Sequence, residues 1–382
     1  MTGTDADIAI IGGGIAGVSA AANLAPHATV VLLEAEDQLA HHTTGRSAAQ
    51  LVEDYGGPVN QILTMSSRHE LEHPPLPDTP PLLSPRGVLF VGGSDDAAAL
   101  EAQAEAGQSF ARSIERVGTA EVLEICPAIR ADYATGGGVF EAEGADIDVM
   151  ALHQSYIQRA RAAGLTIERN ARVTGLRHDA AGWRIRTAAG AELTATTVVN
   201  AAGSWGDQLA ELAGLAPVGL SPLRRTAFTT AVRPEVPGAA DSGGWPLVIA
   251  ADETWYFKPE PGNHLLCSLA DETLSSPCDA KPEELDVALA IERINGASHL
   301  GISSIGRPWA GLRTFASDRQ PVAGFDDAAA GFFWLVGQGG CGIQSSAALG
   351  RATAGLILDG RLPDDLIDAG LTSEALGPSR FR

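Results

Sequence analysis

Three features of the sequence predict an α/β fold in which a Rossmann-like parallel sheet carries an inserted α+β unit built on an antiparallel sheet. The first is IAIIGGGIAG near the N-terminus, an apolar run broken by glycines and resumed as an alanine-rich segment. The second is the stretch 218–275, rich in strand-forming residues and turns (TAFTTAV, TWYFKP, HLLCSL), which reads as antiparallel strands. The third is a late return to an apolar strand, GFFWLV, followed by GQGGCG and a helical run over 343–358. At 382 residues the chain is long enough for two interleaved units.

Taken in order, residues 8–11 read as a buried strand, 15–25 as a helix and 29–33 as a second strand ending at Glu34, which together make one parallel βαβ unit. A polar loop fills 41–50. Residues 58–73 have a helical pattern that Pro74 and Pro75 stop. The proline-rich HPPLPDTPPLLSP then leads to a strand over 86–91, the entry to the inserted unit. Two helical segments fall between 94 and 125, and another spans 146–163. Short strands come next around Val173, over 183–185 and over 196–200. The expected division is 1–85, 145–216 and 310–382 for the nucleotide unit, with 86–144 and 217–309 for the inserted one.

Charge narrows the function classes. The chain has 26 basic and 47 acidic residues, a net charge of −21, which argues against nucleic acid and against an anionic membrane surface. The four cysteines form no C-x-x-C pair and suit a reducing interior, so a cytoplasmic location is expected. No apolar run reaches the roughly 18 residues of a membrane span. The N-terminal apolar run lacks a basic flank and does not read as a signal peptide.

Gly12-x-Gly14-x-x-Gly17 sits between strand and helix. Its glycines permit a tight turn, close approach of a pyrophosphate and close helix packing, and the helix start at Ile15 and Ala16 meets the negative charge. Glu34, followed by Ala35, ends the second strand, where a carboxylate accepts ribose hydroxyls and repels a 2′-phosphate. A second motif competes. RHELEH, residues 68–73, contains the H-E-x-x-H of zinc peptidases. Pro74 pushes His73 out of the helix and no H-x-x-G-x-x-H follows, so this reads as an exposed helix end and no metal is expected.

Three further segments supply what an elongated flavin dinucleotide needs. His42-Thr43-Thr44-Gly45-Arg46-Ser47-Ala48-Ala49 offers hydroxyls, a cation and a small-residue turn. The strand 198–200 ends in Ala201-Ala202-Gly203-Ser204-Trp205, small residues that let backbone approach a cofactor edge. Gly337-Gln338-Gly339-Gly340-Cys341-Gly342 runs from strand to helix and presents N–H groups to charge developing on a reduced flavin.

In order along the chain, IGGGIAG, TTGRSAA, DYGG, PLLSPR, GADIDVMALHQ, VVNAAGSW, PLRRTAF, WYFKP, WAGLRTF and GFFWLVGQGGCGIQ resemble the D-amino-acid oxidase superfamily of flavoproteins. Within it they are most similar to the bacterial D-arginine dehydrogenase type. The resemblance implies non-covalent FAD and a discontinuous FAD-binding domain with an inserted substrate domain. It implies hydride transfer from the α-carbon of an amino acid to flavin N5, giving an imino acid that hydrolyses to a 2-oxo acid. The reoxidant would be a quinone, an electron carrier or O2. Cofactor contacts are implied at Gly12, Gly14, Ile15, Ala16, Gly17, Glu34, Ala35, Thr43, Thr44, Gly45, Arg46, Ser47, Ala48, Ala49, Val173, Ala201, Ala202, Gly203, Trp205, Gly311, Arg313, Gly339, Gly340, Cys341, Gly342, Ile343 and Gln344.

The resemblance further implies that Arg313 pairs with the substrate carboxylate, through the bidentate fork that suits it. Arg225 and Tyr256 would join it there, and Tyr55 would stand near the substrate. Two positions depart from that type. Gln50 replaces a histidine, and Gly87-Val88 replaces a carboxylate that reads a basic side chain. Without that acid a buried substrate cation has no counter-charge, so D-amino acids with apolar or neutral side chains are expected. A secondary amine such as an N-methyl or cyclic amino acid is the alternative, and a flavin-binding protein without turnover is the alternative from another class. Some relatives hold FAD through a cysteine located where this chain has residues 314–317 and no cysteine; Cys341 reads as a small pocket-wall residue. The oligomeric state is left open.

Overall fold

The computed structural model describes residues 5–76, 81–108 and 113–382. The middle of the proline-rich stretch and part of the expected helical region 94–125 lie outside these. The strand Asp5–Ile11 runs parallel to Val30–Leu33 on one side and to Glu192–Asn200 on the other. Their register places Ile11, Leu33 and Asn200 side by side, so the three strands end together. Gly12, Glu34 and Ala201, each one residue past a strand end, therefore lie along one edge, where open parallel sheets bind ligands. Phe332–Val336 extends the parallel order beyond Glu192–Asn200, and the sheet totals eight strands.

The helices Ile15–Leu24, Val149–Ala162 and Ser346–Leu358 cover one face of this sheet. Ala20, Ala21 and Ala22 are buried, and such short side chains let neighbouring helices come close. On the other face Trp183, from the hairpin of Val173–Asp179 and Gly182–Thr187, packs on Phe332, which packs on Trp334. Burying a side chain of the phenylalanine class is worth about 1.5–3 kcal/mol.

A second sheet of nine strands takes its strands from 88–141 and 221–315, and all neighbours but Val88–Gly92 and Leu247–Ala250 are antiparallel. Pro308–Phe315 runs along Ser221–Ala231, pairing Arg225 with Gly311 and Leu223 with Arg313. Arg225 and Arg313 are thus diagonal neighbours on adjacent strands. A three-stranded sheet of Gln50–Leu51, Ala145–Ile147 and Leu83–Pro85 joins the two larger ones.

The expected elements are present with shifted bounds. Ile114–Val117 forms a strand where only helix was expected, since it edges the nine-stranded sheet beside Gly137–Glu141. The last long helix begins at Ser346, not at 343, because residues 341–345 form a separate turn closed by Ser345 N–H donating to Cys341 O at 3.0 Å. The RHELEH helix, Gly57–Glu72, stops where Pro74 requires; His73 has φ −128° and ψ 75°. Within RHELEH, Leu71 is buried in the core and Arg68 is buried in ion pairs with Glu53 at 2.9 Å and Glu72 at 2.7 Å. Among the described residues, neither His69 nor His73 belongs to a group of three potential metal ligands, and no helix is long and apolar enough to cross a membrane.

Candidate active site

The outer cleft opens at the shared edge of the parallel strands. Gly12, at φ +115°, lies against the Ala201 carbonyl, and a Cβ on Gly17 would collide with the Gly12 carbonyl oxygen. The turn admits nothing but glycine at either place. Gly13 N–H donates to Glu34 Oε2 at 2.7 Å and Glu36 N–H to Oε1 at 3.0 Å, so the Glu34 carboxylate is fixed from both sides and lines the cleft. His153, buried in the Val149–Ala162 helix, holds the loop from below, its Nε2 3.0 Å from Gly13 O. A carbonyl only accepts, so Nε2 carries the proton; burial lowers the pKa of this ring and keeps it neutral.

The polar loop then folds across the cleft. Thr44 Oγ1 accepts from Ile15 N–H at 3.0 Å, Thr43 Oγ1 donates to Leu312 O at 2.8 Å, and Arg46 ties the loop to the second sheet through Ala310 O and to the segment before the helix Glu284–Ala297 through Ala280 O. At the outer end His42 packs on Trp205, ring centroids 4.8 Å apart, and its Nε2 lies 3.1 Å from Glu36 Oε1. Glu36, His41 and His42 are the one potential metal-ligand group among the described residues. Arg172 lies 3.5 Å from the same Glu36 oxygen, so that carboxylate is already engaged by a cation.

At its inner end the cleft meets a small cavity of about 80 Å³. Arg225, Tyr256 and Arg313 line both spaces. The Arg313 guanidinium lies on Gly340, where an added Cβ would sit 3.0 Å from Nη1, and its Nη1 is 3.5 Å from the Tyr55 hydroxyl. It forms no ion pair among the described residues. Arg225 donates to Asp271 O at 2.8 Å and reaches Glu272 at 3.4 Å; burial, and then the charge of Arg313, pull its pKa below the ordinary value. Two guanidiniums side by side make a strong site for an anion. Burial raises the pKa of Tyr55, which stays a neutral hydroxyl.

Most implied positions line the cleft: Gly12, Gly14, Ile15, Ala16, Glu34, Ala35, Thr43, Thr44, Arg46, Ser47, Ala48, Val173, Ala201, Ala202, Gly203, Trp205, Gly311, Gly339, Gly340, Gly342 and Ile343. Ala49, Gln50, Tyr55 and Gln344 line the inner cavity instead. Gly17, Gly45 and Cys341 line neither. Gly17 and Gly45 serve close backbone packing, and the Cys341 sulfur is turned to the Tyr55 carbonyl at 4.0 Å. Burial pushes that thiol up to about 12, so it is not a thiolate.

Gly87 and Val88 require a correction. Val88 is fully buried and neither residue reaches the cavity. Val88 pairs with Leu247 in the parallel register, so it faces the right way but stands one strand too far back. Leu247 and Ile249 from the nearer strand, with Tyr256 and Lys258 from the next, form the wall, and Glu253 overhangs it from the turn between. Sequence reading missed these residues apart from Tyr256. The available signal was their spacing of two, which ordinary core strands share.

A glycine turn and a strand-end carboxylate at the edge of a parallel sheet make a dinucleotide-type cleft, here opening onto an arginine-lined cavity. The chain belongs to the DAO family of FAD-dependent oxidoreductases, which matches residues 7–356. It is 25% identical over 408 residues to "FAD-dependent oxidoreductase domain-containing protein 1" of Bos taurus, covering 93% of this chain and 81% of that one. Its fold is similar to that of L-proline dehydrogenase from P. horikoshii, with TM-score 0.81, 18% identity and coverage of 99% and 98%. It is also similar to that of iminodiacetate oxidase from Chelativorans, with TM-score 0.80, 20% identity and coverage of 97% and 98%. The site fits FAD on its own terms. The glycine turn and Glu34 suit a pyrophosphate and a ribose, and Gln338 Nε2, enclosed without an acceptor among the described residues, lines the inner half of the cleft.

Proposed function

We propose that this protein oxidises a small α-amino acid with a neutral side chain, of the D-series, using non-covalently held FAD. The observation that carries this reading is Arg313, a cation with no ion-pair partner among the described residues, at the junction of cleft and cavity. When bound, FAD supplies a two-electron acceptor for hydride. The chain's own residues bind and orient. Arg313 and Arg225 hold the carboxylate, and Tyr55 and Tyr256 flank it with hydroxyls. Each charged hydrogen bond of this kind is worth about 1.5–3 kcal/mol. Leu247 and Ile249 exclude water from the side-chain end, and the cavity of about 80 Å³ admits few substrate carbons. The D-series rests on the motif resemblance.

A secondary amino acid is the second reading. The cavity is small, and two of the structural neighbours are named for proline and iminodiacetate, both secondary amines, while others are named for glycine and L-amino acids. Mixing the holoprotein anaerobically with D-, L- and N-methyl amino acids and following the flavin absorbance tests both. Bleaching by D-alanine-sized substrates supports the proposal. Bleaching only by L- or N-substituted compounds replaces it, and no bleaching by any leaves a flavin-binding protein without turnover.

A further inference from the structure

We propose that Gln50 is the acceptor for the substrate amine, and so a determinant of selectivity for amino over other carboxylic acids. This rests on the reading of Arg313 as the carboxylate site. Gln50 Nε2 donates to Arg86 O at 2.9 Å. A carbonyl only accepts, so the amide cannot flip, and Oε1 is the end left over. That oxygen is enclosed and accepts from no group among the described residues, while the side chain lines the inner cavity. Leaving a buried acceptor unmet is costly, and a ligand N–H removes the cost.

The other charges around the cavity make an acceptor necessary. Arg225 and Arg313 are cations, and Lys258 is a third, balanced by Asp146 at 2.8 Å and Glu260 at 3.5 Å. Beside the carboxylate clamp an ammonium faces two guanidiniums and the tyrosine hydroxyls, and Gln50 Oε1 is an enclosed acceptor on the same lining with no partner among the described residues. Glu253 is exposed, lines the same cavity and acts on Tyr55 through its charge. Gln50 is opposite Asp146 in the three-stranded sheet, and Asp146 is paired to Arg86 at 2.8 Å as well as to Lys258. The titratable and charged groups facing Gln50 are therefore Tyr55, Tyr256, Arg225, Arg313, Glu253, Lys258, Asp146 and Arg86, none of them a histidine. An amide accepts equally at every pH, whereas an imidazole that protonates near pH 6.5, as an ordinary one does at roughly that value, would then repel the ammonium. Gln50 cannot take a proton, so its role is binding and orientation.

The test compares two ligands that cannot be oxidised. 2-Aminoisobutyrate has no α-hydrogen, and pivalate carries a methyl in place of its ammonium. Equilibrium dissociation constants for the holoprotein come from perturbation of the flavin spectrum. Wild type should bind 2-aminoisobutyrate more tightly. In Gln50→Leu that preference should shrink by about tenfold or more, with pivalate binding nearly unchanged. In Gln50→His the preference should survive above about pH 7.5 and vanish below about pH 6. A Gln50→Leu variant with the wild-type preference, or one that loses both ligands equally, overturns the proposal. Arg313→Met tests the clamp separately. It should weaken both ligands together, and unchanged pivalate binding there overturns the clamp whatever Gln50 does.

Discussion

The outer cleft and the inner cavity share Arg225, Tyr256 and Arg313 on their common wall, yet the chain builds the two by different means. The cleft is backbone at chain reversals: the Gly12–Gly14 turn, the 43–48 loop, the 201–203 turn and the 339–342 turn. Each is a run of consecutive residues. The cavity is side chains from strand faces, Leu247 and Ile249, Tyr256 and Lys258, closed by Gln50 from the strand Gln50–Leu51 and by Tyr55 from the loop that follows, both far away in sequence. Recognition by backbone needs small residues in succession. Recognition by strand faces needs alternate residues brought together by register. The first should fail all at once when a Cβ intrudes, and the second should fail one property at a time.

The largest effect is expected at Gly17→Ala. The added carbon meets the Gly12 carbonyl oxygen, a backbone atom between strand and helix that has nowhere to go. The purified variant should be colourless or insoluble, with a flavin-to-protein ratio near zero. A soluble yellow variant would show that the turn yields, and would erase the contrast.

That contrast explains how much was legible beforehand. The βαβ unit, Glu34 and the glycine runs were readable because the chemistry of pyrophosphate contact dictates residue type at consecutive positions. The residues proposed as the carboxylate clamp could be singled out only through resemblance, since a lone Arg313 within WAGLRTF carries no intrinsic sign of facing a cavity. The side-chain wall was misplaced by one strand. The sequence shows that Val88 belongs to a strand, but not that Leu247–Ala250 lies between that strand and the cavity. Glu53, buried and bound to Arg68, was equally silent, because its partner lies in a helix noticed for another motif.

Next in size is Arg313→Met. Flavin content should stay near wild type, because the glycine turns proposed to hold the cofactor are untouched. Steady-state kcat/KM should fall by about two to four decades, the usual reach of a charged bidentate contact. Near-normal turnover would move the carboxylate site to Arg225 alone.

The loop carrying Tyr55 offers a smaller, pH-dependent test. Val52 is pinned by Gln344, its N–H at 3.0 Å from Oε1, and Glu53 N–H donates to Glu141 Oε1 at 3.0 Å. Burial raises the Glu141 carboxyl from 4.5 to about 7, and Glu53 and Asp54 add repulsion. The folded state therefore binds this proton more tightly than the unfolded one. The stability it favours is present below pH 4.5 and is lost as pH rises through about 7. Glu141→Gln keeps the acceptor and removes the charge. It should match wild type near pH 4.5 and be more stable at pH 8, by at most about 3 kcal/mol. Thermal unfolding across pH, read as the difference between the two proteins, checks this. Equal differences at both ends would place the charge elsewhere.

The smallest effect separates two neighbouring strands. Val88→Ala and Leu247→Ala both remove buried carbon from paired positions of one sheet face. Val88 packs against Val52, and a Cβ added at Gly144 would sit 2.9 Å from its Cγ2; it touches no open space. Its truncation should cost roughly 1–3 kcal/mol of stability and leave substrate choice alone. Leu247 borders the cavity, so its truncation adds room where a substrate side chain ends. Each extra substrate methylene buried there is worth roughly 0.8 kcal/mol, close to fourfold in kcat/KM. Two methylenes, the difference between alanine and norvaline, should shift their ratio by about tenfold in Leu247→Ala and by less than about twofold in Val88→Ala. A shift in Val88→Ala as large as in Leu247→Ala would mean that the strand order does not insulate the back of the wall. The side chain would then be read by the whole sheet face and not by its nearest strand.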